Sequence, residues 1–431
     1  MTGMLTRLRI SFKSLFLLTT TLLAGIQSVS AQHILIPMDA DQTNHLKAYG
    51  IIFNHLIDGN TAKWLVNYRG GSFMAAYNSG VDRNCRLKGV YCETISESEA
   101  NRLVGDLERP DVNMAVISLE KAPKIAVYTP KQKLPWDDAV TLALTYAEVP
   151  YTKVWDIEVL NGELSEYDWL HLHHEDFTGQ YGKFWAAYRN QPWYIKQVRE
   201  MEDLAKGLGY TKVSEEKRAV ARTIRDYVSN GGFLFAMCSG TDTFDIALAS
   251  EGTDIAATPF DGDPIDPDAQ QKLNFDNTMA FKNFSLITDP RRYEHADIDV
   301  PVRFNEVNQA LDFFTLFEFS AKWDPVPTML TQNHVSSVKG FYGQTTAFQK
   351  DKVKESVVVL AEAPGRGQVK YLHGNLGKGT FTFYAGHDPE DYTHRVEDPP
   401  TDLSLHPNSP GYRLILNNIL FPAAKKKKRK T

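Results

Sequence analysis

The chain has 431 residues, 42% of them hydrophobic and 23% charged, and a formal net charge of −6. Such a length exceeds what one hydrophobic core usually supports, so two packed units, or one with a large extension, are expected of an ordinary globular composition. Three basic residues lie in the first thirty-one positions and six in the closing "KKKKRK"; without them the body is nine charges more negative, which disfavours nucleic acid and anionic membrane as partners.

Residues 1–31 read as a signal peptide. Arg7, Arg9 and Lys13 form a positive n-region, "SLFLLTTTLLAGI" an apolar h-region, and Val29-Ser30-Ala31 a small-residue cleavage site. The mature protein is therefore expected to be periplasmic or secreted, cut near Ala31. No later segment reaches about 18 uninterrupted apolar residues, so stable membrane insertion of the mature chain is not expected. Residues 425–431 read as a basic, solvated tail. In an oxidising compartment Cys85 and Cys92, close together in "CRLKGVYC", are candidates for a disulfide, which would leave Cys238 as the odd thiol.

"HILIPMD" predicts a first strand, and Leu46, Tyr49, Ile52, Phe53 and Leu56 recur at helical spacing behind it. "AKWLVNYRGGSF" and "GVYCETIS" read as strands, and "SESEANRLVGDLE" as a capped helix. These elements predict a small α/β unit over 32–118. From Lys124 the alternation becomes regular: strand "KIAVYTP", helix "WDDAVTLALTYAEVP", strand "TKVWDIEVL", strand "YDWLHLHHEDF", helix "EKRAVARTIRDYVSNGG" and strand "GGFLFAM". Residues 257–310 are Asp-, Pro- and Asn-rich and read as an irregular excursion. "ESVVVLAEA" and "GKGTFTFYAGHDPED" then predict strands, and "GYRLILNNILF" a closing helix. Strands alternating with helices imply a doubly wound parallel sheet over 119–424, whose ligand crevice lies at the carboxyl ends of its strands.

That edge collects the candidate chemistry. Cys238 follows a strand and opens a Ser-Gly-Thr-Asp run; it reads either as a small hydrophobe finishing a buried strand or as a nucleophile lifted off a strand-to-helix turn. His387, also just past a strand, is a candidate base, with Asp388 or Glu390 to orient its ring and backbone N–H groups after Cys238 as oxyanion donors. Alternation puts His171 and His173 on one strand face and His174, Glu175 and Asp176 at its mouth. With Ser239 and Asp242 these residues are candidates for substrate binding. His173, His174, Glu175 and His387 form an alternative metal set, since imidazoles and carboxylates are first-row metal ligands; the principal reading needs no metal or cofactor.

"RDYVSNGGFLFAMCSGTDTFD" and "GKGTFTFYAGHDPEDY" resemble the class I glutamine amidotransferase-like superfamily, and within it the trehalose-utilisation (ThuA-like) branch. The resemblance covers Lys124 to about Pro422 and implies a flavodoxin-like α/β fold. Ala236 stands where amidotransferases carry the first glycine of Gly-x-Cys-x-Gly, and Asp388 intervenes in their His-Pro-Glu motif. Over nearly its full length, through "IPMDADQTNHLKAYG", "WLVNYRGGSF" and "DWLHLHHEDFTGQYGKF", the chain also resembles exported bacterial proteins labelled asparagine synthetase B. That activity does not carry over, for residue 2 is Thr rather than an N-terminal nucleophilic Cys, and no Ser-Gly-Gly-x-Asp-Ser loop is present.

Three functions follow as expectations. The first is an exported hydrolase or amidase that attacks a small amide or sugar derivative with Cys238 and moves the proton with His387. The others are a catalytically silent small-molecule or carbohydrate-binding module of the same fold, and a metal-assisted hydrolase.

Overall fold

The computed structural model describes residues 32–131, 136–300 and 308–425. The predicted signal peptide and residues 426–431 of the basic tail lie outside the described residues.

The first unit is built on five antiparallel strands: β1 (Gln32–Ile36), β2 (Ala62–Val66), β3 (Ser72–Ala76), β4 (Glu93–Ser96) and β5 (Ala115–Leu119), in the order β4-β1-β3-β2-β5. Its helices are α1 (His45–Ile57), α2 (Ser79–Lys88) and α3 (Glu97–Leu107). Alternation along the strands sorts their side chains. Ile34, Ile36, Trp64 and Phe73 pack toward α1 in the main core, whereas Leu35, Leu65 and Met74 meet Ala100 and Leu107 of α3. Cys85 and Cys92 are free thiols lying side by side, not a formed disulfide.

A larger mixed sheet follows. Its strands are β6 (Ile125–Tyr128), β7 (Thr152–Val154), β8 (Trp169–Leu172), β9 (Phe233–Met237), β10 (Phe313–Leu316), β11 (Ser337–Lys339), β12 (Phe348–Gln349), β13 (Val358–Ala363), β14 (Gln368–Leu376) and β15 (Gly379–Tyr384). They run β11-β10-β13-β14-β15-β9-β8-β6-β7, with β12 paired to β14. Strands β7, β6, β8, β9 and β15 are mutually parallel, and the pairs from β15 outward are antiparallel. The expectation of a wholly parallel sheet is corrected here. Gly377, at φ 58°, turns β14 straight back into β15, so no crossover helix intervenes.

Helices cover both faces of the parallel half. On one side α4 (Ala139–Ala147) packs with α1 and with the closing helix; on the other, α5 (Pro192–Gly207), α6 (Val213–Ser229) and α7 (Ser239–Ala249) follow one another, and the closing helix is α8 (Pro410–Leu420). "TKVWDIEVL" is a strand only as far as Val154. Glu158 accepts the Trp155 N–H and starts a short helix, Asp156–Leu160, while Asp156 is drawn into a buried ion pair with Lys217, 2.6 Å away.

The two sheets are tied by Arg413 of α8, which is fully buried. It donates to the carbonyls of Met38 (2.8 Å) and Gly70 and to the Tyr49 hydroxyl (3.1 Å), and Tyr49 in turn donates to Asn417 at 2.5 Å. Beside it His45 stacks on His334, ring centroids 4.2 Å apart. Burial, and then the Arg413 charge, lowers His45 to about 4; burial, then His45 and Arg413, lowers His334 to about 3. Both rings are neutral when folded and take up protons on unfolding, so their stabilisation is complete above pH 6.5 and is lost as pH falls through about 4 and about 3. Thermal melts should show Tm falling across that window. His334→Phe should make the fall shallower, by up to about 1.4 kcal/mol per pH unit; parallel curves for variant and parent would refute this role.

Candidate functional site

Three parallel strands deliver their next residues to one edge. Leu172 pairs in register with Ala236, and Tyr384 with Met237, so His173, Cys238 and the Gly386-His387 turn emerge side by side. Asp138 reaches this edge from α4, which it caps by accepting the N–H groups of Val140 (2.8 Å) and Thr141 (2.9 Å). Its carboxylate lies 3.3 Å from His171 Nε2 and 3.3 Å from His173 Nδ1. Burial alone would raise this carboxyl, but His171 and His173 outweigh it and hold it well below the usual range.

Around this pair the imidazoles accumulate. The His173 ring centroid is 4.5 Å from that of His387 and 5.1 Å from that of His174, and His387 stacks on His394 at 4.3 Å with 14° between planes. One nitrogen from each of His173, His174 and His387 lies within 4.8 Å of the others. These nitrogens are buried, and neither His173 Nε2 nor His387 Nε2 has a hydrogen-bond partner among the described residues. Burial first, and then the neighbouring rings, hold His174 and His387 well below the ordinary imidazole value, so both are neutral. His394 is the opposite case. Burial lowers it, but Asp137 (3.0 Å) and Asp391 (2.8 Å) raise it to about 9.

Cys238 sits at φ 49° and ψ −138°, a left-handed conformation costly for a residue with a side chain. The turn is tight. Gly240 donates to the His173 carbonyl at 2.6 Å, and a Cβ there would lie 2.4 Å from that oxygen. The Cys238 sulfur faces the backbone N–H groups of Thr345, Gln344 and Ser239, and burial pushes its thiol up to about 11. No hydrogen bond joins it to His387 among the described residues.

Covering the sulfur is the loop 341–346, held at both ends by Lys370, whose Nζ donates to the carbonyls of Phe341 (2.6 Å) and Thr346 (2.5 Å). A Cβ on Gly343 would lie 3.1 Å from the sulfur and 2.7 Å from the backbone nitrogen of His387, so the loop comes this close to both only as glycine.

The remaining sequence candidates are spread around this centre. Asp388 accepts from Glu390 N (2.9 Å), Asp391 N, Thr401 Oγ1 (2.7 Å) and the Tyr412 hydroxyl (2.8 Å), so it builds the turn after His387 instead of orienting its ring. Glu390 points to His406, 3.2 Å away. Asp176 accepts the N–H groups of Thr178, Gln180 and Gly182, which fixes a loop. Asp242 accepts from the Thr345 hydroxyl at 2.7 Å, and Ser239 Oγ is buried without a partner among the described residues. Glu175 stays at the site: one oxygen lies 3.7 Å from His174 Nε2, and burial followed by the Asp138 charge raises its carboxyl to about 8. Asp137, Asp138, His394 and Lys370 were not among the sequence candidates. The Asp-Asp pair of "WDDAV" carries the signature of a helix cap, which is how its second member does act.

No family model matches the chain, and no curated protein matches it. Among solved structures, it is similar to cytoplasmic protein STM3548 from Salmonella typhimurium, with TM-score 0.34 and 10% identity over 70% of this chain and 100% of that one. Cytoplasmic protein STM1381 from Salmonella typhimurium LT2 overlaps with TM-score 0.32 and 13% identity, also over 70% and 100%. A catalytic mutant of Gan42B, a GH42 β-galactosidase from G. stearothermophilus, overlaps with TM-score 0.24 and 9% identity over 61% of this chain and 27% of that one. Overlaps this loose leave the site to be read from its own geometry.

The buried thiol gives a direct expectation. At pH 8 a thiol at about 11 is roughly 0.1% ionised, against about a quarter for a free cysteine. In a Cys85→Ser/Cys92→Ser background, a disulfide reagent should modify folded Cys238 at least about a hundredfold more slowly than the urea-unfolded chain. Equal rates would show that the thiolate is already formed in the fold.

Proposed function

We propose that the protein is a metal-assisted hydrolase of a small amide or ester, with His173, His174 and His387 holding one first-row divalent ion such as zinc. The observation that carries this reading is the convergence of three imidazoles, each offering one nitrogen within 4.8 Å of the others, while both ring nitrogens of His173 and His174 and Nε2 of His387 are buried without hydrogen-bond partners among the described residues. Buried polar atoms without partners are costly, and neutral imidazole is the form that binds metal. Ligands of one tetrahedral ion at about 2.1 Å are about 3.4 Å apart, so modest ring rotations suffice. Asp138 against His173 Nδ1 is the carboxylate–histidine arrangement that orients a ligand.

Three protein ligands leave a position for water, whose ionisation a zinc ion brings near neutrality. An ion held by His173, His174 and His387 would supply a hydroxide nucleophile and a positive charge for the developing oxyanion of a small amide or ester. Glu175, 3.7 Å from His174 Nε2, is the group placed to take the proton that the water gives up and to hand it to the leaving amine or alcohol.

The finer fold assignment belongs to the same reading. Numbered by their own chain order, the parallel strands run 2-1-3-4-5, which supports a flavodoxin-like doubly wound half and, with the Cys238 and His387 motifs, kinship to the amidotransferase-like superfamily. Export through the predicted leader is part of the proposal and rests on the leader residues alone.

A second reading, covalent attack by Cys238, is favoured by its strained backbone at the strand-to-helix turn. One set of variants separates the two. Protein purified without chelator and equilibrated with zinc should retain about one metal per chain by elemental analysis. Each of His173→Ala, His174→Ala and His387→Ala should abolish retention, and Asp138→Asn should weaken it about 10- to 100-fold. Folded parent protein that retains no metal would overturn the reading. Cys238→Ala should keep metal and hydrolysis of p-nitrophenyl acetate; loss of turnover with metal retained would favour the covalent route.

A further inference from the structure

We propose that the site takes a second divalent ion, held by Asp137 and His394 on the far side of His387. This rests on the metal-hydrolase reading and adds an ion to that site. The row of imidazoles does not end at the three ligands of the first ion, because His387 stacks on His394 with ring centroids 4.3 Å apart. Asp137, His387 and His394 each offer one atom within 4.8 Å of the others. Asp137 and Asp138, adjacent in the chain, serve opposite ends of this row: Asp138 meets His171 and His173, and Asp137 meets His394.

The ligand pair is already set. Asp391 Oδ2 lies 2.8 Å from His394 Nδ1 in hydrogen-bond geometry, and a carboxylate there accepts, so Nδ1 carries a proton and Nε2 is the nitrogen left for a metal. Nε2 is 3.0 Å from Asp137 Oδ1. Two ligands about 2.1 Å from one ion and at right angles to each other are about 3.0 Å apart, so the observed separation fits neighbouring ligands.

Two observations set this pair apart from an ordinary ion pair. The side chains of His394 and Asp137 are only 4% and 10% exposed, yet His394 Nε2 and both Asp137 carboxylate oxygens are buried without a hydrogen-bond partner among the described residues. A carboxylate enclosed with neither oxygen bonded is costly, and a bound cation removes that cost. The charge points the same way. Even with His394 protonated, Asp137, Asp391 and His394 together carry a net negative charge, so a divalent ion in place of that proton leaves them better balanced.

In a two-ion site the second ion shares the nucleophilic water and adds positive charge where an oxyanion develops. Its hold on the protein is weaker than that of the first. One imidazole and one carboxylate replace three imidazoles, and Asp137 and His394 lie nearer the surface than His173 and His387. The second ion therefore exchanges away during purification, and one per chain is retained.

Calorimetric titration of the metal-free full chain with zinc reads both positions. The parent should take up two equivalents, the second at least about tenfold more weakly than the first. His394→Ala and Asp137→Ala should each take up one, with the tighter affinity kept within about threefold. Asp391→Asn should weaken only the second equivalent, by about 10- to 100-fold. Circular dichroism and melting establish that the variants are folded. Uptake of a single equivalent by the parent that His394→Ala leaves intact, or of two equivalents that neither alanine variant reduces, would overturn the second ion and leave the first in place. Complete loss of uptake in folded His394→Ala would overturn the division into two positions, and a parent chain that takes up no zinc would overturn the metal reading itself.

Discussion

Everything at the strand edge is arranged around one buried carboxylate. Asp138 is 8% exposed, and burial by itself would neutralise it. Three influences keep it charged: the N-terminus of α4 donates two N–H groups, and His171 and His173 each approach to 3.3 Å. A charged acceptor 3.3 Å from His173 Nδ1 favours a proton on that nitrogen and leaves Nε2, which has no hydrogen-bond partner among the described residues, with its lone pair free. A helix cap has thereby become part of a site. The same oxygen, Oδ1, that accepts the orphan N–H groups of Val140 and Thr141 also faces His173 Nδ1, while Oδ2 faces His171.

The second constraint is strand direction. Because β8, β9 and β15 are parallel and in register, residues separated by more than two hundred positions leave the sheet at one level. The antiparallel strands beyond β15 do not disturb this edge, since they extend the sheet sideways. They also bring Lys370 of β14 under the loop 341–346 and so clamp the cover of the site. Arg413 has a comparable function between the two sheets. Its guanidinium satisfies carbonyls of the first unit from a helix that packs on the second, and a group so deeply buried is tolerable only because its donors are matched.

Local signals made the parallel half legible. "KIAVYTP", "DWLHLHH" and "GGFLFAM" are apolar runs bounded by turns, and the helices between them have clear 3.6-residue periods. Where two strands would pair was not written in any one of them. The hairpin at Gly377 reverses the sheet's direction through a connection too short to carry a periodic signal. "TKVWDIEVL" misled because its alternation stops at Trp155, where Glu158 captures a backbone N–H and Lys217, 61 positions away from Asp156, captures that carboxylate. At the site, His173, His174 and His387 were visible as residues at strand ends. His394 was not, since its position depends on a turn built by Asp388 with Thr401 and Tyr412, and no local spacing encodes that.

Cys238 and His387, which the sequence pairs as nucleophile and base, are related through the backbone. A glycine at 238 would adopt φ 49° without the cost of about 1 kcal/mol or more that a side chain incurs. What the sulfur contributes in return is an acceptor for the N–H groups of Thr345, Gln344 and Ser239 and a filled space beneath Gly343. Those contacts seat the loop 341–346, and the Tyr342 carbonyl of that loop accepts the His387 N–H at 2.8 Å while Thr345 accepts that of Gly386 at 2.7 Å. The cysteine therefore adds contacts to a strap whose two ends Lys370 already holds, and the carbonyls of that strap hold the turn that presents the third imidazole. In this arrangement the positive-φ residue 238 lies beneath the same loop that holds His387, whichever group performs the attack.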